Sequence, residues 1–212
     1  MKYNNIYYIV PARMGSKGLP LKNRKLMEYA YHVLSLLPNV IISTDDDFIK
    51  DKYKNIFKIH NRPKELSSDT ASMKDVLCNI AQEYKMSDND IIITLYLTYP
   101  QRTINDVLKM LSFFTSGENK SLLCRKAVKT HPCLCVYDNG RQVIKHDFYR
   151  RQDYPVVFEI SHFVSACFVS ELEHLNKNLY NDKTFFVNIN DKIDVDNIED
   201  LTQFENSDMH SS

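Results

Sequence analysis

Along most of the chain, apolar and polar positions follow two alternating periods. The segment "NIYYIV" is apolar almost without break and reads as a buried strand, whereas "KLMEYAYHVLSLL" places Leu26, Tyr29, Ala30, Val33 and Leu37 at helical spacing. "NVIIST" reads as a second short strand, "DFIKDKYK" as a helical turn or two, and "IFKIH" as a third strand. A polar loop, "NRPKELSSDT", leads into "ASMKDVLCNIAQEYK", where Val76, Leu77, Ile80 and Ala81 form one helical face. The strand "DIIITLYLT", the helix "TINDVLKMLSFF" and the strand "SLLCRK" follow, and Thr103 with Asp106 three residues on predicts a capping box. Strand, helix and strand repeated in this way predict an α/β fold with a mostly parallel sheet.

The rhythm changes after Lys126. Two β-like runs in "CLCVYDNGRQVIKH" flank Asn139-Gly140, a dipeptide that tolerates positive φ at both positions, and so predict a β-hairpin. Residues 128–160 are therefore expected to leave the core sheet as an excursion. "FVSACFV" returns to the sheet, a helix is expected from about Ser170 to Asn176, and "FFVNI" and a helix after "DVDN" complete the chain. Residues 1–206 are expected to form one domain and 207–212 a frayed tail.

Composition narrows the function classes. Of 212 residues, 43% are apolar and 25% charged, which suits a folded globular protein. Lys plus Arg and Asp plus Glu both number 27, so no overall basic bias favours nucleic acid as a partner. The apolar runs fall far short of the roughly 20 residues that span a bilayer, and Pro11, Arg13 and Lys17 interrupt the first one, so a cytoplasmic protein without membrane association is expected. The five cysteines include no C-x-x-C pair, which argues against a disulfide framework and a zinc site. Cys133 and Cys135 are read as small buried hydrophobes on one strand face.

Two clusters carry candidate chemistry. "PARMGSKGLPLKN" follows the first strand, where parallel sheets gather ligands, and its glycines let backbone approach a ligand while Arg13, Lys17, Lys22 and Arg24 offer charge to phosphate. It matches neither a dinucleotide fingerprint nor a P-loop, and a solvated basic loop is the alternative. In "DKIDVDNIED", an extended Ile193–Asp196 would bury Ile193 and Val195 and turn Asp194 and Asp196 to one side, an arrangement that suits Mg²⁺. The alternative is that Asp196 caps the last helix. Basic loop and acidic pair together suggest a metal-bound nucleotide phosphate.

The motifs "PARMGSKGLPLKN", "ISTDDDFI", "RPKELSSDTAS", "TYPQRT", "RRQDYP" and "KIDVDNIEDL", in this order and spacing from about Ile6 to Leu201, resemble those of the CMP-N-acylneuraminate synthetases, cytidylyltransferases that activate sialic acid and related nine-carbon acids. The resemblance implies a Rossmann-like nucleotidyltransferase core, a homodimer paired through the 128–160 excursion, and Mg²⁺-dependent transfer of CMP from CTP to the C2 hydroxyl of a 2-keto sugar acid. It further implies that Arg13, Ser16, Lys17, Lys22 and Asn23 contact the nucleotide, and that Arg62 with Ser68, Ala71 and Ser72 closes over cytosine and ribose. Asp194 and Asp196 match the metal pair, Arg13, Lys22 and Asp196 are the implied catalytic residues, and Tyr96, Arg102 and Arg151 fall on the sugar-acid side. Tyr96 replaces a glutamine found in many relatives, and "FEISHFVSACF" stands where many have an Asn-Gly-Ala stretch, so an altered acceptor is expected. His162 is either a hydrogen-bonding group of that pocket or a structural ring, Glu159 is equally open, and Asp45 either orients metal-bound water or caps a helix. Rival readings are a cytidylyltransferase for an eight-carbon acid such as 3-deoxy-manno-octulosonate, a sugar-phosphate nucleotidyltransferase, and a non-catalytic nucleotide-binding homologue.

Overall fold

One seven-stranded sheet organises the protein, a computed structural model that describes residues 3–15 and 17–209, with the backbone alone at 208 and 209. In chain order its strands are β1 (Ile6–Pro11), β2 (Val40–Thr44), β3 (Lys58–Asn61), β4 (Ile91–Thr94), β5 (Ser121–Ala127), β6 (Phe158–Phe168) and β7 (Phe185–Asn188). Their spatial order is β3-β2-β1-β4-β6-β5-β7. All neighbours pair parallel except β6, which runs antiparallel to both β4 and β5. The helices are α1 (Lys22–Leu34), α2 (Asp47–Tyr53), α3 (Met73–Glu83), α4 (Ile104–Thr115) and α5 (Ile198–Met209).

Central strands are apolar on both faces because both faces are covered. Tyr8 and Val10 of β1 pack with Leu26 of α1, Met110 of α4 and Phe204 of α5, while Ile9 between them points the other way to Val76, Leu77 and Ile80 of α3. The alternation along one strand thus feeds two cores, and burying a side chain such as Ile9 contributes on the order of 2 kcal/mol. Helix α4 starts as expected: Thr103 accepts from the Asp106 backbone N–H and the Asp106 carboxylate accepts from that of Thr103, a complete capping box. No helix of the described residues is long and apolar enough to cross a membrane.

Several expected elements differ. Helix α1 begins at Lys22, four residues before the apolar period becomes visible at Leu26, and ends at Leu34. Strand β4 stops at Thr94; Leu95 N–H still donates to Ile9 O at 2.9 Å, after which Tyr96–Thr98 leave the ladder and line a cleft. The segment after β6 is a 3₁₀ helix, Val169–His174. Helix α5 continues through Met209 into the expected tail.

The excursion departs most from expectation. Gly140 does adopt a positive φ of 78°, and Tyr137 N–H donates to Arg141 O at 2.8 Å, yet a single bridge, Val136 with Gln142, stands in place of a hairpin ladder. Pro132 supplies a reason: it has no N–H and opens a 3₁₀ turn, Pro132–Leu134, that takes Cys133 out of any strand. Cys133 is buried and Cys135 half-buried, so they do not share a strand face. At its other end the excursion is shorter than expected, because Phe158–Ser161 pair with Cys124–Ala127 and already belong to β6.

Candidate active site

The sheet reverses its order of growth at β1: the chain moves outward to β2 and β3, then returns to add β4 on the other side of β1. Loops leaving β1 and β4 therefore diverge and leave a crevice at their carboxyl ends. A cleft of about 380 Å³ occupies that position, lined by Arg13, Lys17, Gly18, Lys22 and Asn23 from the β1–α1 connection, Arg62 after β3, Met73 of α3, Tyr96–Thr98 after β4, and Asp196. Such a volume suits a small-molecule ligand.

The β1–α1 connection is held open by specific contacts. Ala12 N–H donates to Ser43 O at 2.9 Å, Met14 N–H to Asp45 Oδ1 at 2.8 Å, and Asn23 Nδ2 to Arg13 O at 2.8 Å. Asp45 therefore anchors the basic loop, and its neighbour Asp46 is the residue that caps α2. Leu21 at the N-cap of α1 is left-handed, with φ 54° and no side-chain cap, and no acid lies in the first turn. The positive end of that helix adds to the cationic character of the loop. Gly18 lies where a Cβ would stand 2.3 Å from Asp196 O, so glycine is required by space. This contact seats the basic loop directly on the acidic segment.

Each cation in the loop has a partner. Lys22 Nζ bonds Asp196 Oδ1 at 2.7 Å, and Arg13 pairs at 2.8 Å with Asp69, which also accepts from Lys17. Arg13 and Lys22 are half-buried while their aspartate partners are exposed, so these are pairs of small net worth that a polyanion can replace. Their carboxylates hold the pocket's cations at one end of the cleft. Arg24 does not join them, contrary to expectation, because its guanidinium donates twice to Asp46 at 2.7 and 2.9 Å, tying α1 to α2.

Arg62 is the buried cation of the cleft. Burial pulls its pKa down to about 10, with Asp45 opposing the fall, so it remains charged near neutral pH. Ser72 caps α3 by accepting from Asp75 N–H, Ser68 is exposed and donates to Glu65 O, and Ala71 is half-buried. None of these three lines the cleft, whereas Met73 from the same segment does. Ser16 lies outside the described residues.

The acidic pair is extended as expected: Val195 is fully buried while Asp194 and Asp196 are exposed. Val195 N–H donates to Thr98 O at 2.8 Å, which docks this segment against the β4 loop. Tyr99 Oη donates to Asp194 Oδ2 at 2.8 Å, and burial raises the phenol's pKa, so it keeps the proton it donates. Among the described residues no group of three or more His, Cys, Asp or Glu is placed to hold a metal. Asp196 lines the cleft and Asp194 does not, but each keeps an oxygen not engaged in these bonds, the hard donor type that Mg²⁺ takes beside phosphate and water.

On the acceptor side the expected residues separate. Tyr96 lines the cleft, its ring tilted against His162 at 5.2 Å between centroids, and the buried Nδ1 of His162 lacks a partner among the described residues. Burial lowers the His162 pKa, against the opposing effect of Asp194. Arg102 lies below the cleft, a correction to the sequence reading: its guanidinium is 5% exposed and donates to the backbone oxygens of Phe163 and Tyr96 at 2.9 and 2.7 Å. Arg151 is exposed on a 3₁₀ turn of the excursion and does not line the cleft. Glu159 is exposed, 3.7 Å from Lys126. The sequence reading missed Asp69 and Tyr99 as partners of site residues, although both stand inside the motifs it used.

The cytidylyltransferase family model matches residues 7–208. The chain belongs to the cytidylyltransferase family. An N-acylneuraminate cytidylyltransferase of Streptococcus agalactiae serotype V is 27% identical over 197 residues, covering 84% of this cytidylyltransferase but only 45% of that relative. The chain thus spans about half the length of that curated relative. A post-translational flagellin modification protein B of Campylobacter coli is 28% identical over 180 residues, covering 74% of this chain and 75% of that one. Among solved structures, a CMP:2-keto-3-deoxy-manno-octonic acid synthetase complexed with CTP shares the fold at a TM-score of 0.68 and 14% identity, over 99% of this chain and 100% of that one. A 4-diphosphocytidyl-2C-methyl-D-erythritol synthase from Anaerococcus prevotii aligns at a TM-score of 0.64 and 18% identity, over 97% and 98%.

Proposed function

We propose that this cytidylyltransferase transfers CMP from CTP to the C2 hydroxyl of a nine-carbon 2-keto sugar acid, of sialic, legionaminic or pseudaminic type, and releases pyrophosphate. The observation that carries the reading is the meeting of Arg13, Lys17, Lys22 and Asp196 in one cleft at the β1/β4 switch point. The nine-carbon acceptor is supported by the N-acylneuraminate relatives, and Tyr96, which lines the cleft, is the residue we assign to an altered acceptor pocket.

In this mechanism Arg13, Lys17 and Lys22 release their carboxylate partners to take the triphosphate, and the N-terminus of α1 adds to the same field. Asp194 and Asp196 would hold Mg²⁺, which supplies charge neutralisation on the phosphate oxygens when bound. Tyr99 keeps Asp194 oriented, and Asp196, once Lys22 turns to phosphate, is kept in place by its backbone, whose N–H donates to Asp200 Oδ2 and whose carbonyl lies against Gly18. The acceptor oxygen forms a bond to the α-phosphorus as the bond to the bridging oxygen breaks, and pyrophosphate leaves with that electron pair. The hydroxyl proton passes to an aspartate oxygen or to water. Catalysis rests on positioning and electrostatics, with no covalent enzyme intermediate.

The excursion serves in this reading as the homodimer contact, supported by its exposed Val136, Tyr137, Phe148, Tyr149 and Val156. The deciding experiment is pyrophosphate release with CTP and Mg²⁺ against N-acetylneuraminic, legionaminic, pseudaminic and 3-deoxy-manno-octulosonic acids. Release with a nine-carbon acid, reduced at least a hundredfold in Asp196→Ala, is the expected result. Release with the octulosonic acid alone would move the enzyme to the eight-carbon class, in keeping with its fold neighbour. CTP binding without release from any acid would sink the proposal.

A further inference from the structure

The most deeply buried cation of the cleft stands at the end of a chain of side-chain hydrogen bonds. Arg62, 6% exposed, donates Nε to Ser43 Oγ and a terminal nitrogen to Ser43 O, both at 3.0 Å. Ser43 Oγ lies 2.9 Å from His60 Nδ1, and His60 Nε2 lies 2.9 Å from Asn79 Oδ1. Ser43 and His60 are wholly buried. The four residues come from the end of β2, from β3 and the loop after it, and from α3, so the chain ties three elements together behind the cleft.

Chemistry sets the direction of every bond. A guanidinium can only donate, so Ser43 Oγ accepts from Arg62, and the Asn79 carbonyl oxygen can only accept, so His60 carries its hydrogen on Nε2 and a neutral ring leaves Nδ1 to accept the Ser43 hydroxyl proton. The result is a neutral imidazole with one tautomer, its Nε2 also 3.4 Å from the half-exposed Glu83. Two of the three guanidinium nitrogens are thereby fixed against Ser43, while the third has no hydrogen-bond partner among the described residues. Arg62 lines the cleft, two strands away from β1 and its phosphate-binding cations. If the triphosphate takes the β1–α1 loop and the acceptor lies toward β4, the nucleobase falls on the Arg62 side. A donor-only edge suits cytosine, which presents O2 and N3 as adjacent acceptors, and opposes uracil, which carries a hydrogen on N3.

We propose that Ser43, His60 and Asn79 form a positioning relay that aims Arg62 at the nucleobase and so sets the preference for CTP over UTP. The proposal rests on the reading of the cleft as a CTP site. Its test is calorimetric titration of CTP and of UTP into wild type, Ser43→Ala, His60→Leu, Asn79→Ala and His60→Asn, with melting curves to verify folding. Removing a buried partner of a charged group is worth roughly a tenfold change in affinity. Ser43→Ala and His60→Leu should therefore bind CTP about tenfold more weakly and show a CTP:UTP ratio moved toward one, with kcat at saturating CTP little altered. Asn79→Ala should move the same way by less, and His60→Asn, which can offer Ser43 an acceptor near the Nδ1 position, should recover most of the preference. A folded Ser43→Ala or Asn79→Ala with wild-type affinity and wild-type ratio would overturn the relay. Failure of the wild type to bind either nucleotide would instead overturn the CTP reading beneath it, and the two failures are distinguishable.

Discussion

Residues of the site differ in whether a ligand must displace something to reach them. Arg13, Lys17 and Lys22 are paired with exposed aspartates that exchange readily for phosphate, whereas Arg62 and His60 are locked in by burial. Burial pushes the His60 imidazole below its ordinary value of 6.5, opposed by the Asn79 bond and by Glu83 and reinforced by Arg62. The folded form keeps the ring neutral, while the unfolded chain takes up a proton below about pH 6.5. Stability from this residue is thus present above that pH and lost as pH falls toward the depressed folded value. Denaturant titrations at pH 7.5 and 5.5 should show a larger loss for wild type than for His60→Asn, which has no titrating ring. Equal losses would mean the ring is not held neutral.

Between elements, the decisive contact is the one between the β1–α1 connection and the segment entering α5, which are 178 positions apart at Gly18 and Asp196 (196 minus 18). A Cβ at Gly18 would collide with backbone, which cannot swing aside as a side-chain tip can. Gly18→Ala is therefore expected to cost about 1–3 kcal/mol of stability and, by shifting Lys22 away from Asp196, at least a tenfold loss of turnover. Gly15→Ala meets nothing within 4 Å and should stay within about twofold of wild type. Similar losses in both variants would show that the effect comes from loop flexibility and not from this contact. Arg102 illustrates the same scale from below: as a buried guanidinium bonded to two carbonyls, it supports Tyr96 and Phe163 and not a ligand.

For the whole molecule, the open question is what covers the excursion. Tyr149 is 95% exposed and Val156 85%, an exposure that apolar side chains on a working surface rarely keep. With the homodimer proposed above, Tyr149→Asp combined with Val156→Asp should turn the sedimentation profile from dimer to monomer while leaving the sheet's melting transition in place. A wild type that sediments as a monomer at micromolar concentration would remove the excursion from the dimer role.

Much was legible in the chain itself, because local physics sufficed. The two hydrophobic periods located all seven strands, with β4 read too long and β6 too short, and all the α-helices, the Thr103–Asp106 capping box located a helix start, and the charge patterns of the two motifs found the cations and the Asp196 carboxylate that share the cleft. Where short-range signals compete, tertiary structure decided. The Asn139-Gly140 turn formed, but Pro132 and the lack of a sheet neighbour left its flanks without a ladder. The diversion of Arg24 to Asp46, the bond of Arg102 to Phe163 O beneath the cleft, and the links of Asp69 to Arg13 and of Tyr99 to Asp194 all join residues at least 22 positions apart. Sequence periodicity reports which face of an element is apolar. Which of several arginines meets a carboxylate, a carbonyl or open cleft depends on strand order and on the paths of the loops, and these exist only once the sheet has closed around its two cores.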